Sequence, residues 1–163
     1  MSPETRNKDQ SEVLRCRLAR AEGLRTILFV CTGNAVRSQI AEGIATHFFA
    51  DKWAAFSAGT MPMEIHKDVI KVMKEIGIDL SAKNAKHVDL FKECVFDKVV
   101  ILCSDAGLRC PDFPYAGKKD QMNFEDPLSL VLSGGICLSY RSRIRSLRNE
   151  IRKAVTDYLG ALS

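Results

Sequence analysis

The segment from Ile27 to Ser38 combines the patterns of a buried strand, a tight loop and the start of a helix. Four apolar residues, Ile-Leu-Phe-Val, run directly into Cys31, and Arg37 follows six positions later. The Ser-Gln-Ile-Ala-Glu stretch that begins at Ser38 is typical of a helix start. A loop between a parallel strand and a helix N-terminus directs several backbone N–H groups toward one point, where the helix dipole favours negative charge. The segment therefore predicts a strand–loop–helix unit that binds an anion.

Cys31 opens this loop and Arg37 closes it. We expect the N–H groups and the planar guanidinium of Arg37 to hold a tetrahedral oxyanion, with the sulfur of Cys31 below its central atom. The same surroundings favour the thiolate, which makes Cys31 a nucleophile. The alternative is a buried structural thiol at a strand end, which is the commonest state of a cytosolic cysteine.

The loop residues also suit close contact with an anion. Gly33 lets the backbone approach it, and Asn34 tolerates left-handed dihedral angles while its amide braces the loop. The predicted substrate-binding residues are Thr32, Gly33, Asn34, Ala35, Val36, Arg37 and Ser38.

The composition is that of one ordinary globular domain of 163 residues, 46% apolar and 27% charged. No apolar run reaches the length of a membrane span and no hydrophobic stretch opens the chain, so we expect no membrane partner, no secretory signal and a cytoplasmic location. Six cysteines are then more often catalytic, metal-binding or inert than disulfide-bonded. The net charge of +4 lies largely on one face of the last helix, which argues against a nucleic-acid partner.

Strand and helix patterns alternate along the chain and predict its fold class. The predicted strands cover residues 26–30, 53–57, 98–103 and 121–124, and the predicted helices cover 38–50, 65–76, 88–94 and 139–159, with Gly77 as a C-cap. This order predicts a single-domain three-layer α/β fold, with a four-stranded parallel sheet and helices on both faces. Residues 104–117, rich in Gly and Pro, are predicted to be irregular and mobile.

The predicted domain spans residues 26–163, and residues 1–25 form an N-terminal extension. Within this extension, residues 1–10 are expected to be a disordered tail, and residues 11–23 have the apolar spacing of a short helix.

Two further cysteines follow the second long apolar strand. In parallel sheets ligands bind beyond the carboxyl ends of the strands, so we expect Cys31 and Cys103 at the same edge. Cys110 lies seven residues after Cys103, which is too wide for a thioredoxin-type pair and wrong for a zinc knuckle. A loop containing Gly107 is able to bring the two sulfurs within disulfide distance. The residues alone leave open whether these cysteines form a redox pair or Cys110 is a free thiol.

Asp126 follows the last predicted strand, again at the carboxyl edge. Chemistry on a bound oxyanion needs an acid that protonates the departing oxygen, and Asp126 is placed for that role. The alternative is an ordinary Asp-Pro turn. The three histidines, His47, His66 and His87, are interpreted as structural, and the chain offers too few suitably spaced ligands for a metal site.

Together these motifs resemble the low-molecular-weight tyrosine phosphatase superfamily, and within it the thioredoxin-coupled arsenate reductases. The segment at 31–43 resembles the signature of the superfamily and reads Cys-Thr-Gly-Asn-Ala-Val-Arg-Ser-Gln-Ile-Ala-Glu-Gly. Further segments resemble motifs of the reductase branch. They are Ser-Ala-Gly-Thr at 57–60, Met-Lys-Glu-Ile-Gly-Ile-Asp at 73–79, Cys-Ser-Asp-Ala at 103–106 with Cys-Pro at 110–111, and Phe-Glu-Asp-Pro at 124–127. The match runs in register from about residue 26 to residue 159.

The resemblance implies a relay of three cysteines. The Cys31 thiolate attacks arsenate held by the loop and Arg37, while Asp126 protonates the departing hydroxide. Cys103 then attacks Cys31 and releases arsenite, and Cys110 attacks Cys103 in turn. The resulting disulfide moves to the surface, where thioredoxin, the implied electron donor, reduces it. The resemblance implies no cofactor, and it implies that phosphate or sulfate also occupies the loop.

The loop matches the family at two positions and departs from it at two others. Asn34 and Ser38 correspond to residues that shape the loop and stabilise the thiolate. Val36 stands where many relatives have a second loop cysteine, and Ala35 stands where they have serine. The relay does not need the missing cysteine, and its absence removes a site of damaging oxidation.

A second departure concerns potassium. Some relatives bind this ion through a glutamate matching Glu42 and a serine matching Ser57, but the ligands farther along are replaced here by Asn84 and Lys86. We expect the lysine ammonium to stand in for the cation, so no metal site is predicted.

Two other readings of the sequence compete with the reductase. A tyrosine phosphatase accounts for the loop and the acid but leaves Cys103 and Cys110 without a purpose. Those phosphatases usually have Pro at the position of Gln39 in this chain. They also have a pair of tyrosines near the acid, whereas here Leu128 follows the Asp-Pro pair. A non-catalytic oxyanion-binding domain, docked through its N-terminal helix, leaves the nucleophile and the acid unexplained.

Overall fold

A computed structural model describes residues 3–113, 119–127 and 139–163, with only the backbone described for residues 3–6. In chain order the elements are α1 (Pro3–Ala21), β1 (Arg25–Cys31), α2 (Arg37–Phe49), β2 (Trp53–Gly59), α3 (Lys67–Lys74), β3 (Lys98–Ile101), α4 (Ser104–Arg109), β4 (Asp120–Gln121) and α5 (Tyr140–Ala161). A 3-10 turn covers Val88–Phe91, between α3 and β3.

The four strands form one parallel sheet in the order β2-β1-β3-β4. Strand β1 lies inside the sheet and pairs with β2 over its whole length, from Arg25 opposite Trp53 to Cys31 opposite Gly59. Every residue of β1 after Arg25 is buried, because neighbouring strands and helices cover both of its faces. This burial explains the uninterrupted apolar run. The predicted three-layer α/β fold is confirmed.

The helices cover both faces of this sheet. Helix α2 packs on β1 and β2 and against α5, which also packs on α3. Helix α1 packs on β1 and the 3-10 turn, and α4 packs on β1 and β3. The apolar residues of α5 that are buried recur at helical spacing and are Ile144, Leu147, Ile151, Val155 and Leu159. Within the described part of the chain, no helix is both long and apolar enough to cross a bilayer.

The N-terminal helix is longer than the sequence predicts. Helix α1 begins at Pro3, so residues 3–10, predicted as a disordered tail, are helical. The apolar signal of this helix is weak, because only Cys16 and Ala19 among its described side chains are fully buried. Leu14 and Leu18, which the sequence places on the apolar side, are instead more than half exposed.

The other differences lie near the carboxyl edge of the sheet. Helix α4 occupies residues 104–109, which the sequence predicts to be irregular. Six residues are too few for a periodic pattern to show, and one buried residue, Ala106, anchors the helix. Strand β4 has two residues rather than four, because it pairs only with the short β3. Residues 114–118 of the stretch predicted to be mobile lie outside the described residues.

Candidate active site

The predicted strand–loop–helix unit is present at the carboxyl edge of the sheet. Cys31 is the last residue of β1, and α2 begins at Arg37. The side chains that face into this loop are almost completely buried, with Cys31 at 2% exposure and Arg37 at 8%. Asn34 and Ser38 are fully buried.

Asn34 holds the loop together through both ends of its amide. Its φ of 47° is the left-handed conformation expected for this residue. Its Nδ2 donates to the hydroxyls of Ser38 (2.8 Å) and Ser57 (2.9 Å). Its Oδ1 accepts from the backbone N–H of Lys86 (2.8 Å) and from the Nε2 of Gln39 (3.1 Å). Two donors on the oxygen and two acceptors on the nitrogen fix the orientation of the amide.

Two polar groups contact the sulfur of Cys31, the proposed nucleophile. The Oγ of Ser38 lies 2.9 Å from the Sγ of Cys31, and the backbone N–H of Asn34 donates to the same sulfur at 3.3 Å. Because the Ser38 oxygen already accepts from Asn34, its own hydrogen is available for the sulfur. Donors of this kind stabilise a thiolate relative to a thiol.

The end of β2 supports the loop from the side. Gly59 is required there, because a Cβ at this position would lie 2.7 Å from the carbonyl oxygen of Thr32 and 2.8 Å from the backbone nitrogen of Asn34. Two residues later the Met61 N–H donates to the Thr32 carbonyl at 2.8 Å. The Ser-Ala-Gly-Thr motif at 57–60 therefore packs directly against the catalytic loop.

A buried charge cluster lies behind the loop, centred on Glu42. The Ser57 hydroxyl donates to this carboxylate, the Lys83 ammonium lies 2.7 Å from it and the Lys86 ammonium 3.6 Å. Burial alone would raise the pKa of Glu42, but Lys86 and Lys83 together outweigh burial and hold the pKa at about 2. The carboxylate is therefore ionised at neutral pH.

This cluster bears on the potassium site implied by the family. Lys86 lies 3.5 Å from the carbonyl of Asn84 as well as near Glu42, and Lys83 adds a second ammonium that the sequence did not single out. Two ammonium groups on one carboxylate repel a further cation, so the residues present do not fit a potassium ion. Among the described residues no group of three or more His, Cys, Asp or Glu is placed to hold a metal.

Arg37 and Asp126 meet at the mouth of the loop. The Arg37 guanidinium donates to the Phe124 carbonyl at 3.1 Å and lies 3.6 Å from the carboxylate of Asp126. The cavity above the loop has a volume of about 150 Å³ and is lined by Cys31, Thr32, Gly33, Ala35, Val36, Arg37, Met63, Glu64, His66, Asp126, Pro127 and Tyr140. Pockets for drug-sized ligands are larger, at roughly 300–1,000 Å³, so this one suits a small anion.

Part of the cavity wall was not predicted. The ring of His66 packs edge to face on the ring of Tyr140, with centroids 4.6 Å apart. His66 also accepts the Asp68 N–H as the N-cap of α3, and His87 caps the 3-10 turn in the same way. Both histidines therefore have capping contacts, and His66 lines the cavity as well. No spacing in the sequence links His66 to Tyr140, because the pair joins two distant helix starts.

The two late cysteines lie at opposite ends of α4. Cys103 is 7% exposed, and its sulfur lies 3.4 Å from the Oγ1 of Thr32, so it reaches the catalytic loop as predicted. Cys110 follows the last turn of the helix, does not line the cavity, and has a pKa raised by burial. Seven residues at helical rise place the two Cα atoms about 10 Å apart, whereas a disulfide needs less than about 7 Å. The pair therefore cannot form a disulfide until α4 unwinds.

The described cysteines are all free thiols, namely Cys16, Cys31, Cys94, Cys103 and Cys110. Cys137 lies outside the described residues. The resting structure therefore corresponds to a reduced protein.

Comparisons with known proteins agree with this geometry. An arsenate reductase from Staphylococcus aureus is 37% identical over 136 residues, which are 82% of this chain and 95% of that protein. An arsenate reductase solved in a phosphate-binding state is 27% identical, with a TM-score of 0.68 over 86% of this chain and 100% of that one. A thioredoxin-dependent arsenate reductase from Corynebacterium glutamicum is also 27% identical, with a TM-score of 0.62 over 93% of this chain and 72% of that one.

The family comparison covers most of the chain. The sequence model described as low molecular weight phosphotyrosine protein phosphatase matches residues 26–158. Those residues carry the parallel sheet, the loop from Cys31 to Arg37, the Glu42 cluster and Asp126 at the cavity mouth. The chain belongs to the low-molecular-weight phosphotyrosine protein phosphatase family.

Proposed function

We propose that this protein reduces arsenate to arsenite with its own cysteines as the first electron source. The observation that carries the proposal is the second thiol at the catalytic loop, Cys103, whose sulfur lies 3.4 Å from Thr32. A phosphatase needs only the nucleophile, the arginine and the acid, whereas a reductase needs a thiol that displaces arsenic from the first sulfur. The relatives named arsenate reductase support this reading.

The first step is a substitution at arsenic, in which the Cys31 sulfur replaces one oxygen. Arsenate binds to the loop N–H groups and Arg37, and the Cys31 thiolate attacks As(V). A sulfur–arsenic bond forms and an arsenic–oxygen bond breaks, and Asp126 gives its proton to the departing oxygen, which leaves as water. The Ser38 hydroxyl and the Asn34 N–H contact the Cys31 sulfur and suit the thiolate form that attacks.

The second step transfers the electrons. Cys103 attacks the Cys31 sulfur, a sulfur–sulfur bond forms, and the electron pair of the sulfur–arsenic bond passes to arsenic, which leaves as arsenite. Cys110 then attacks Cys103 and releases Cys31 as a thiolate. Because α4 keeps Cys103 and Cys110 apart, this last exchange requires the helix to unwind.

The third step returns two electrons from outside. A thioredoxin-type dithiol reduces the Cys103–Cys110 disulfide, as the name of the Corynebacterium glutamicum neighbour supports. Such a cycle needs a reducing compartment, so we place the protein in the cytoplasm. The proposed cycle involves neither a membrane nor a nucleic acid. In this proposal residues 26–163 are the catalytic domain and residues 1–25 are an extension.

The test is arsenate-dependent NADPH consumption with thioredoxin and thioredoxin reductase, run beside hydrolysis of p-nitrophenyl phosphate. We expect turnover that requires Cys31, Cys103 and Cys110, and little hydrolysis. After one equivalent of arsenate, mass spectrometry should find a Cys31–Cys103 disulfide in Cys110→Ser and no such bond in Cys103→Ser. Wild-type hydrolysis without arsenate turnover, or a Cys110→Ser variant that cycles at the wild-type rate, would contradict the proposal.

A further inference from the structure

Helix α1 contacts the catalytic domain close to the active site, although it precedes the residues that match the family. The family match begins at residue 26, and α1 ends at Ala21. Two of its side chains, Cys16 and Ala19, join the hydrophobic core. A third, Arg15, is directed toward the charge cluster behind the catalytic loop.

Arg15 is held by four contacts. Its guanidinium donates to the carbonyl of Ala55 in β2 at 2.9 Å and to the carboxylate of Glu12 at 2.8 Å. Its central carbon lies 3.9 Å from the centroid of the Phe56 ring, and a terminal nitrogen lies 3.6 Å from the buried carboxylate of Glu42. A planar guanidinium with a ring below it and oxygens at its edge has one defined orientation.

Glu42 connects Arg15 to the catalytic loop. An ionised carboxylate only accepts hydrogen bonds, so the hydroxyl of Ser57 must donate to it. The Ser57 oxygen is then free to accept from the amide of Asn34, which also donates to Ser38. Because the Ser38 oxygen accepts from Asn34, its hydroxyl hydrogen is available to the Cys31 sulfur, which lies 2.9 Å from that oxygen. An ionised Glu42 therefore sets the direction of the Ser57 hydrogen bond, while Gln39 and Lys86 orient the Asn34 amide that continues the chain to Ser38.

The charge cluster around Glu42 has one more positive charge than negative charges. Three cations, Arg15, Lys83 and Lys86, face two carboxylates, those of Glu12 and Glu42. The surplus positive charge favours both a thiolate and a bound oxyanion nearby, and it disappears when Arg15 is removed.

We propose that Arg15 is a positioning residue for the catalytic loop, through which the N-terminal helix steadies Glu42 and adds positive charge behind the anion site. The inference rests on the proposed function only in requiring a loop that binds an oxyanion. It gives residues 3–21 a role in the reaction, although Arg15 touches neither the substrate nor the reacting sulfur.

The test compares Arg15→Met, which keeps the apolar stem and removes the charge, with Arg17→Met on the same helix. Arg17 lies 3.9 Å from Glu93, and both side chains are exposed, so this variant is a matched control. Alkylation of Cys31 by iodoacetamide is followed by peptide mass spectrometry from acid to alkaline pH, with and without inorganic phosphate. Arg15→Met should slow alkylation near neutral pH roughly 3–10-fold, displace the profile to higher pH, and raise the phosphate needed for protection by a similar factor.

Superimposable profiles for the wild type, Arg15→Met and Arg17→Met would overturn the proposal. If Arg15→Met does not fold, Arg15→Gln, which keeps a donor for Ala55, decides by the same criterion. Loss of the fold in both variants would assign Arg15 a purely structural role and also overturn the proposal. None of these measurements uses arsenate. A wild type without arsenate turnover therefore refutes the reductase alone, and an unchanged Arg15→Met refutes the role of Arg15 alone.

Discussion

At the scale of single residues, the active site depends on which atom donates each hydrogen bond. Asn34 illustrates this, since its amide oxygen takes two donors and its amide nitrogen serves Ser38 and Ser57. Asn34, predicted to brace the loop and to belong to the substrate-binding residues, donates to the Ser38 oxygen and so leaves the Ser38 hydrogen available to the Cys31 sulfur. The sequence shows the residue types, but the polarity of these bonds depends on contacts from Gln39 and Lys86.

Asp126, the proposed acid at the cavity mouth, gives the first prediction. Asp126→Asn should fold and still bind phosphate, because the Arg37 guanidinium keeps its bond to the Phe124 carbonyl. Without a proton for the departing oxygen, kcat for arsenate should fall about 100-fold or more. Steady-state kinetics with thioredoxin measures the loss, and Glu125→Gln, at the exposed neighbouring position, should behave as wild type. An unchanged kcat in Asp126→Asn would return this residue to the role of a turn former.

The buried carboxylate makes the second prediction. The pKa of Glu42 is about 2 in the folded protein, against a reference value of 4.5. A depressed folded pKa adds stability that is complete above pH 4.5 and is lost as the pH falls toward 2. The contribution is on the order of 3 kcal/mol. The free energy of unfolding of the wild type should therefore fall more steeply between these pH values than that of Glu42→Gln, as urea titrations at several pH values would show. Parallel pH profiles for the two proteins would be inconsistent with an ionised, paired Glu42.

At the scale of secondary structure, α4 is the element that the sequence did not reveal. A six-residue helix with a glycine inside it has no periodic pattern, and the nearby prolines favour a loop prediction. Strand β1 was predictable for the opposite reason, because burial on both faces leaves an unbroken apolar run. The consequence for chemistry is large, since α4 separates Cys103 from Cys110 and the predicted loop would not.

Strengthening α4 should therefore slow the relay. A Cβ at Gly107 would lie 3.6 Å from Ile101, which is ordinary contact, so Gly107→Ala fits. Alanine favours the helix over glycine by about 1 kcal/mol, and formation of the Cys103–Cys110 disulfide should slow up to about fivefold. Quenched single turnovers with arsenate, without thioredoxin, measure this rate. Leu108→Ala, at a position 88% exposed, is the matched control and should leave the rate unchanged. Equal rates in Gly107→Ala and the wild type would mean that helix opening does not limit the exchange.

At the scale of the whole molecule, the layers and the order of elements were predictable, whereas the contacts between distant segments were not. The motif around Cys31 predicts its own loop because its parts are adjacent in the chain. The Glu42 cluster draws Lys83 from one loop and Arg15 from the N-terminal helix, and no local pattern reports such convergence. The wall formed by His66 and Tyr140 escaped prediction for the same reason.

The lysines of this cluster lead to a prediction about salt. Because Lys83 and Lys86 already neutralise Glu42, replacing sodium by potassium at constant ionic strength should change neither the Tm nor the arsenate turnover of the wild type. Lys86→Ala removes one ammonium and should lower the Tm. Thermal melts in the two salts provide the measurement. A rise in Tm that is specific to potassium would show that a cation site survives with other ligands.

The position of Cys103 and Cys110 at the two ends of α4 also affects when the protein would draw on the reducing equivalents of the cell. As long as the helix is intact, the resting protein offers thioredoxin no disulfide to reduce. In the proposed relay, oxidation of the pair waits until arsenate has driven formation of the Cys31–Cys103 disulfide and the helix has opened. Under the proposed relay, reducing equivalents would then be consumed only while arsenate is present, and the idle protein would place no drain on them.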